Sequence, residues 1–181
     1  LEYFASNSRS TMKIIGIDPG LRKTGWGIVN VEGNFISHIS NGTLIPNSRD
    51  ELCGRLLDIF QKLSEVVKKF GPQAAAVENT FVNKDAAGAL KLGQARAIAL
   101  LVPAKLNVPV FEYAPNTIKK AVVGVGHADK VQVKSMVKIQ LPKANLDSQD
   151  SVDALSIALC HAYQYKNRER LNKAILKAEG R

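Results

Sequence analysis

The 181-residue chain is 45% hydrophobic and 23% charged, an ordinary globular balance in a length that suits one domain with a sizeable core. No apolar stretch approaches the about 18 residues of a membrane span, because residues 97–102 are closed by Pro103, so the composition argues against a membrane protein. The formal charge of +9 is segregated. Residues 115–143 set Lys119, Lys120, Lys130, Lys134, Lys138 and Lys143 against Asp129 alone, and the segment from 166 onward is also basic. Concentrated cations of this kind suit a polyanionic partner, although in the tail a solvated helix face explains them equally well. Cys53 and Cys160 have no metal-type spacing; one disulfide stays open, and a reduced, cytoplasmic protein fits better.

Residues 1–11 lack periodicity and a signal-peptide core, so they read as a tag remnant outside the fold. The chain then opens on Lys13-Ile-Ile-Gly-Ile-Asp18-Pro-Gly20, an apolar run ending in a carboxylate and a Pro-Gly turn, which is the pattern of a buried strand. Second and third strands follow at about 25–31 and 35–44 around the Glu32-Gly33-Asn34 turn, making an antiparallel meander. Helical spacing runs from Arg49 to the Gly71-Pro72 stop, with a cap expected in residues 46–48. Residues 74–78 form a fourth strand that again ends in an acid, Glu78. A helix is expected over 82–105, a fifth strand over 108–113, a short helix through Val123, another over 130–141, and a last one from an Asp147 or Ser148 cap to about Tyr165. The basic tail from 166 to 181 reads as a marginal helix or disorder. This order predicts an α/β fold, a mixed five-stranded sheet flanked by helices on both faces, in one domain over 12–165.

Four carboxylates stand out. Asp18 and Glu78 end two buried strands, while Asp150 and Asp153 lie three apart on an apolar helix and can face one spot. An isolated acid at a strand end can accept N–H bonds from its own turn, and acids in a helix's first turn suit its dipole. The second explanation covers Asp150 better than Asp153. Brought together, the four are the oxygen inventory that binds hard divalent cations; two such ions about 3.5–4 Å apart can activate water on a phosphodiester.

The motifs Ile14-Ile-Gly-Ile-Asp-Pro-Gly20, Val77-Glu78, Ala89-Leu-Lys-Leu-Gly-Gln-Ala-Arg96, Val122-Val-Gly124 and Asp150-Ser-Val-Asp-Ala-Leu155 resemble the RuvC family of bacterial Holliday junction resolvases, in order and at matching spacing from Met12 to about Tyr165. The resemblance implies an RNase H-like fold and a homodimer using Mg²⁺ or Mn²⁺, two ions per site, to nick opposed strands of a four-way junction in recombination and repair. It further implies a branch-migration helicase partner and no membrane. By position, Asp18, Glu78, Asp150 and Asp153 match the family's catalytic metal ligands. Phe81 matches an aromatic that stacks on bases near the junction centre, although on residue type alone a core Phe is as natural. Lys119 and Lys130 match lysines near the scissile strand; Lys84, Lys91 and Arg96 are further candidate phosphate contacts, with solvated helix faces as the plain alternative. Asn79-Thr80 departs from the more usual Gln-Val, which leaves sequence preference open. His127 and His161 read as loop and core histidines.

Two other classes compete. Residues 18–25 also resemble the phosphate loop of sugar-kinase and actin-like ATPases, which need two such domains. A non-catalytic DNA-binding module would bind junctions without regard to Mg²⁺.

Overall fold

The computed structural model describes residues 11–79 and 86–179. Five strands, β1 (Thr11–Asp18), β2 (Thr24–Glu32), β3 (Phe35–Leu44), β4 (Ala74–Glu78) and β5 (Val110–Tyr113), form one sheet in the order β3-β2-β1-β4-β5. The meander β1-β2-β3 is antiparallel, whereas β4 and β5 run parallel to β1, as their helical crossovers require. Five helices complete the chain: α1 (Leu52–Phe70), α2 (Ala86–Lys105), α3 (Pro115–Val123), α4 (Lys130–Gln140) and α5 (Gln149–Glu179).

Strand alternation divides the core between the two faces of the sheet. Ile15, Ile17, Ile28 and Val77 pack against Leu63 and Val67 of α1 and Ala99 and Val102 of α2. Ile14, Val29 and Val31 on the other face meet Val133 and Val137 of α4 and Val152, Leu155 and Leu159 of α5. The expected mixed sheet with helices on both faces is therefore present.

The helix α5 lies directly on the sheet because the strands beneath it lack side chains. A Cβ at Gly16 would collide with the Ala154 carbonyl oxygen and sit 2.6 Å from the Ala158 nitrogen; one at Gly25 would collide with the carbonyl of Asp150. Those two glycines set how closely the first turns of α5 approach β1 and β2.

Several boundaries differ from the sequence reading. Thr11 belongs to β1, paired with Glu32, so β1 takes in the last residue of the stretch set aside. Asn47 does not start α1 directly: its side-chain oxygen accepts from Arg49 N in a local turn, and the helix starts at Leu52. α2 runs through Pro103 to Lys105, and the Val108 N–H is used by the Pro103 carbonyl at 2.9 Å, which delays β5 to Val110. The part of the expected helix before Ala86, residues 82–85, lies outside the described residues. α5 continues to Glu179 rather than stopping near Tyr165. Residues 166–179 contain no Gly or Pro, and Lys166 and Arg170 bind the backbone and side-chain oxygens of Asn34 at 2.7 and 3.2 Å, anchoring the extension to the β2–β3 turn.

Gly16→Ala is expected to lower the unfolding free energy by about 1–3 kcal/mol, since a backbone atom of a packed helix cannot yield as a side chain would. Urea denaturation measures this, and a wild-type midpoint would contradict the contact.

Candidate active site

The strand registers assemble the first half of the site. Ile17 pairs with Val77 across the parallel β1–β4 ladder, so the next residues, Asp18 and Glu78, emerge side by side at the carboxyl ends of adjacent strands, about 4.8 Å apart in the hydrogen-bonding direction. The ends of parallel strands in an open α/β sheet are where ligand sites form. Asp18 also pairs with Gly25 of β2. Because α5 presses its Asp150 carbonyl onto Gly25, the first turn of that helix is delivered beside Asp18. The second half of the site, Asp150 and Asp153, arrives in this way.

Hydrogen bonds hold the helical acids in place. Gln149 Nε2 donates to Asp153 Oδ1 at 2.8 Å. Ser148 Oγ donates to Asp150 Oδ2 at 3.1 Å and also bonds Thr43 Oγ1 of β3 at 2.8 Å. Ser148, read from sequence as a helix cap, thus spends its hydroxyl on positioning an acid. Thr43, Ser148 and Gln149 escaped the sequence reading as site residues, since nothing local distinguishes a positioning hydroxyl or amide from an ordinary cap.

The electrostatics record the convergence. Burial, then the charges of Asp153, Glu78 and Asp150, push Asp18 up to about 8, with Lys130 pulling the other way. Burial followed by the Asp153 charge raises Glu78, eased by Lys119 and Lys130. Burial raises Asp153 too, against the Gln149 hydrogen bond and the Lys130 charge. Among the described residues, no group of three or more His, Cys, Asp or Glu side chains already forms a metal-holding cluster. Mutual repulsion is a physical reason for carboxylates to stay spread while no counter-charge lies between them. Their chemistry nevertheless fits a hard divalent ion: every donor is a carboxylate oxygen, and a cation beside them would lower the raised pKa values of Asp18, Glu78 and Asp153.

A pocket of about 330 Å³ opens beside the acids. Glu78 and Asp153 line it together with Lys119 of α3, Lys130 of α4, and the apolar Ile118, Val133 and Ile157. Both lysines expected near a scissile strand therefore share a cavity with two of the acids. Their elements are well fixed: Pro115 starts α3, and Asp129 and Gln132 form a reciprocal capping box at the start of α4.

The other expected contacts separate. Lys91 is exposed on α2. Arg96, a candidate phosphate contact from sequence, pairs its guanidinium with Glu112 of β5 and reaches Asn79 Oδ1 at 3.4 Å. Phe81 and Lys84 lie outside the described residues. His127 is exposed. His161 is buried, bonded through Nδ1 to the Tyr113 hydroxyl at 2.7 Å, and burial and then Arg168 push its pKa down to about 4. It lies eight residues past Asp153 on α5, about 12 Å along the axis, which makes it a core histidine. The turn that resembled a phosphate loop is closed on itself, with Thr24 Oγ1 donating to the Gly20 carbonyl at 2.8 Å.

Comparison with known proteins decides among the classes. The family model for crossover junction endodeoxyribonuclease RuvC matches residues 14–161. The chain belongs to the RuvC family. The RuvC of Bartonella henselae is 57% identical over 152 residues, covering 84% of this chain and 90% of that protein. The RuvC of Brucella ovis is 56% identical over 155 residues, covering 86% and 90%. A structure of T. thermophilus RuvC in complex with Holliday junction substrate superposes with a TM-score of 0.80 at 32% identity, covering 86% of this chain and 95% of that one. The yeast mitochondrial resolvase Ydc2, at 16% identity and a TM-score of 0.61, shares the fold over 88% of this chain and 81% of its own. The sheet order and flanking helices described above are thus the RNase H-like fold of the RuvC family, and the four acids lie within the matched span.

An acid held more weakly acidic when folded binds its proton more tightly in the native state. Asp18 should therefore cost the metal-free protein stability as pH rises from about 4 to about 8. Asp18→Asn removes that dependence and is expected to raise the unfolding free energy at pH 8 by about 1–3 kcal/mol, with little change at pH 4. Denaturation in EDTA at the two pH values measures it; equal effects at both would contradict the origin given.

Proposed function

We propose that this chain is a structure-specific endonuclease that resolves four-way (Holliday) DNA junctions by paired symmetric nicks during homologous recombination and repair. The observation that carries the reading is the convergence of half-buried Asp18, Glu78 and Asp153 with Lys119 and Lys130 at the strand ends of a RuvC-family fold. The names of relatives support the substrate: several proteins more than half identical are crossover junction endodeoxyribonucleases, and the T. thermophilus structure holds a Holliday junction.

Asp18, Glu78, Asp150 and Asp153 would hold two Mg²⁺ ions, or Mn²⁺ in their place. When bound, the ions supply activation of water and charge neutralisation at the phosphodiester. The remaining work belongs to the chain's own groups. Asp18, on the rigid end of a central strand, fixes the centre of the site. Gln149 and Ser148 orient Asp153 and Asp150, so that their oxygens need not reorganise as charge moves. Lys119 and Lys130 meet phosphate oxygens from one side and stabilise the charge that develops there. Ile118, Val133 and Ile157 form an apolar wall that strengthens each of these interactions by excluding water.

Phe81 would stack on bases near the junction centre, where stacking is sequence-tolerant and worth about 1–3 kcal/mol per base. Lys84 and Lys91 are candidate outer phosphate contacts. A cytoplasmic setting beside a branch-migration helicase completes the reading, consistent with the absence, among the described residues, of any helix long and apolar enough to cross a membrane.

A synthetic four-way junction is expected to receive symmetric paired nicks leaving 5′-phosphates, only with Mg²⁺ or Mn²⁺. Asp18→Asn should reduce nicking by at least about 10²-fold while junction affinity stays within about 2-fold. Nicking by that variant at the wild-type rate would refute the reading, and binding without any nicking would favour a non-catalytic module.

Two symmetric cuts from one active site per chain imply a two-fold dimer. The helix α2 supports an interface: Leu90 and Leu101 are exposed, at 67% and 53%, with exposed Gly93 and Ala97 between them. Small residues there allow close helix approach. Sedimentation should give a mass about twice 19.7 kDa, and Leu90→Glu with Leu101→Glu should shift the protein toward monomer. A monomeric wild type, or a dimer untouched by the double change, would contradict that interface.

A further inference from the structure

A second feature of α4 leads away from the carboxylates. The helix buries Val133 and Val137 and leaves Lys130, Lys134 and Lys138 exposed. Residues four apart share a helix face and rise about 6 Å per step, so the three ammonium groups form a row about 12 Å long. The row walls an open groove of about 660 Å³, whose far side is Leu146, Asp147 and Gln149. Lys130 lines both this groove and the carboxylate pocket, and Gln149 lines the groove while holding Asp153. The groove is therefore an exit from the site. Its lysines are lightly committed: Lys138 donates to the Pro142 carbonyl at 3.2 Å, and neither described ion pair engages Lys134 or Lys138. Asp147 is the single acid among the groove's described lining residues.

Resting on the nuclease reading, we propose that Lys134 and Lys138 extend the site into a phosphate track, along which the duplex arm leaving the scissile phosphate lies against α4. The dimensions agree. A strand of B-DNA advances about 3.4 Å per base pair, so a 12 Å row accompanies three to four phosphates. The capping box at Asp129 and Gln132 fixes the start of α4 beside the acids, so the row has a set direction relative to the cut. Such contacts position DNA without reading its sequence.

The test measures binding of a labelled four-way junction across a KCl series without divalent ions, by anisotropy. Wild type is compared with the double variant Lys134→Gln and Lys138→Gln, and with Lys68→Gln and Lys69→Gln at the end of α1 as an equal loss of charge on the other face of the sheet. Each lost phosphate contact removes about 0.9 from the slope of log K against log salt. The α4 double variant should therefore be shallower by about 2 per engaged protomer, while the α1 double variant keeps the wild-type slope. Neutral methylphosphonates at three or four linkages flanking the cut should weaken wild type and leave the α4 variant no weaker than before. A wild-type slope in the α4 variant, the same loss in the α1 control, or additive effects of variant and methylphosphonate would overturn the track. Failure of the nuclease reading is separate: it would appear as no nicking by wild type with Mg²⁺, whereas the slopes judge the track whether or not cleavage occurs.

Discussion

Like charges gathered in a partly buried place are the constraint around which the structure is arranged. Folding brings Asp18, Glu78, Asp150 and Asp153 toward one end of the sheet, where burial and mutual repulsion hold Asp18 at about 8. A cluster that opposes its own ionisation needs a surrounding frame strong enough to impose it. The frame is the two-sided core: Ile14 and Ile15, adjacent in sequence, anchor opposite faces, so β1 cannot slip by one residue without exchanging both. Function and instability therefore share an address, as is usual where a site is poised to receive a ligand.

The most specific device in that frame is the absence of side chains at Gly16 and Gly25. Sheet and helix usually meet through interdigitated side chains; here the backbone of α5 lies on the strands. Asp150 can stand beside Asp18 because Gly25, the register partner of Asp18, has no Cβ to hold the helix away. Thr43 and Ser148 then tie the incoming loop to β3. The remaining polar contacts refine a placement that packing has already made.

Much of this was legible in the chain. Apolar runs closed by Asp18 and Glu78 announced both strands and the place of their acids, and the spacing of Asp150 and Asp153 announced a common helical face. What could not be read was any relation set only in three dimensions. Arg96 and Lys91 look alike in sequence, as cations on one helix, yet Glu112 on a strand formed later in the chain takes Arg96 and leaves Lys91 exposed. The basic tail read as a marginal helix or disorder, because its stabilising contacts, Lys166 and Arg170 on Asn34, span more than 130 residues. Boundaries failed for local reasons: an Asx turn at Asn47 delayed α1, and the Pro103 carbonyl captured the Val108 N–H.

The segregated basic charge follows the same geometry. Lys119 of α3 and Lys130 of α4 line the same pocket as Glu78 and Asp153, so cations and acids share one cavity. The central claim is that four side chains spread over 135 residues of sequence act as one cation site. Mn²⁺ titration followed by electron paramagnetic resonance, on wild type and on Asp18→Asn, Glu78→Gln, Asp150→Asn and Asp153→Asn singly, tests it most directly. Each substitution is expected to weaken Mn²⁺ binding by about 10-fold or more; affinity indifferent to Asp18 and Asp153 would contradict the account.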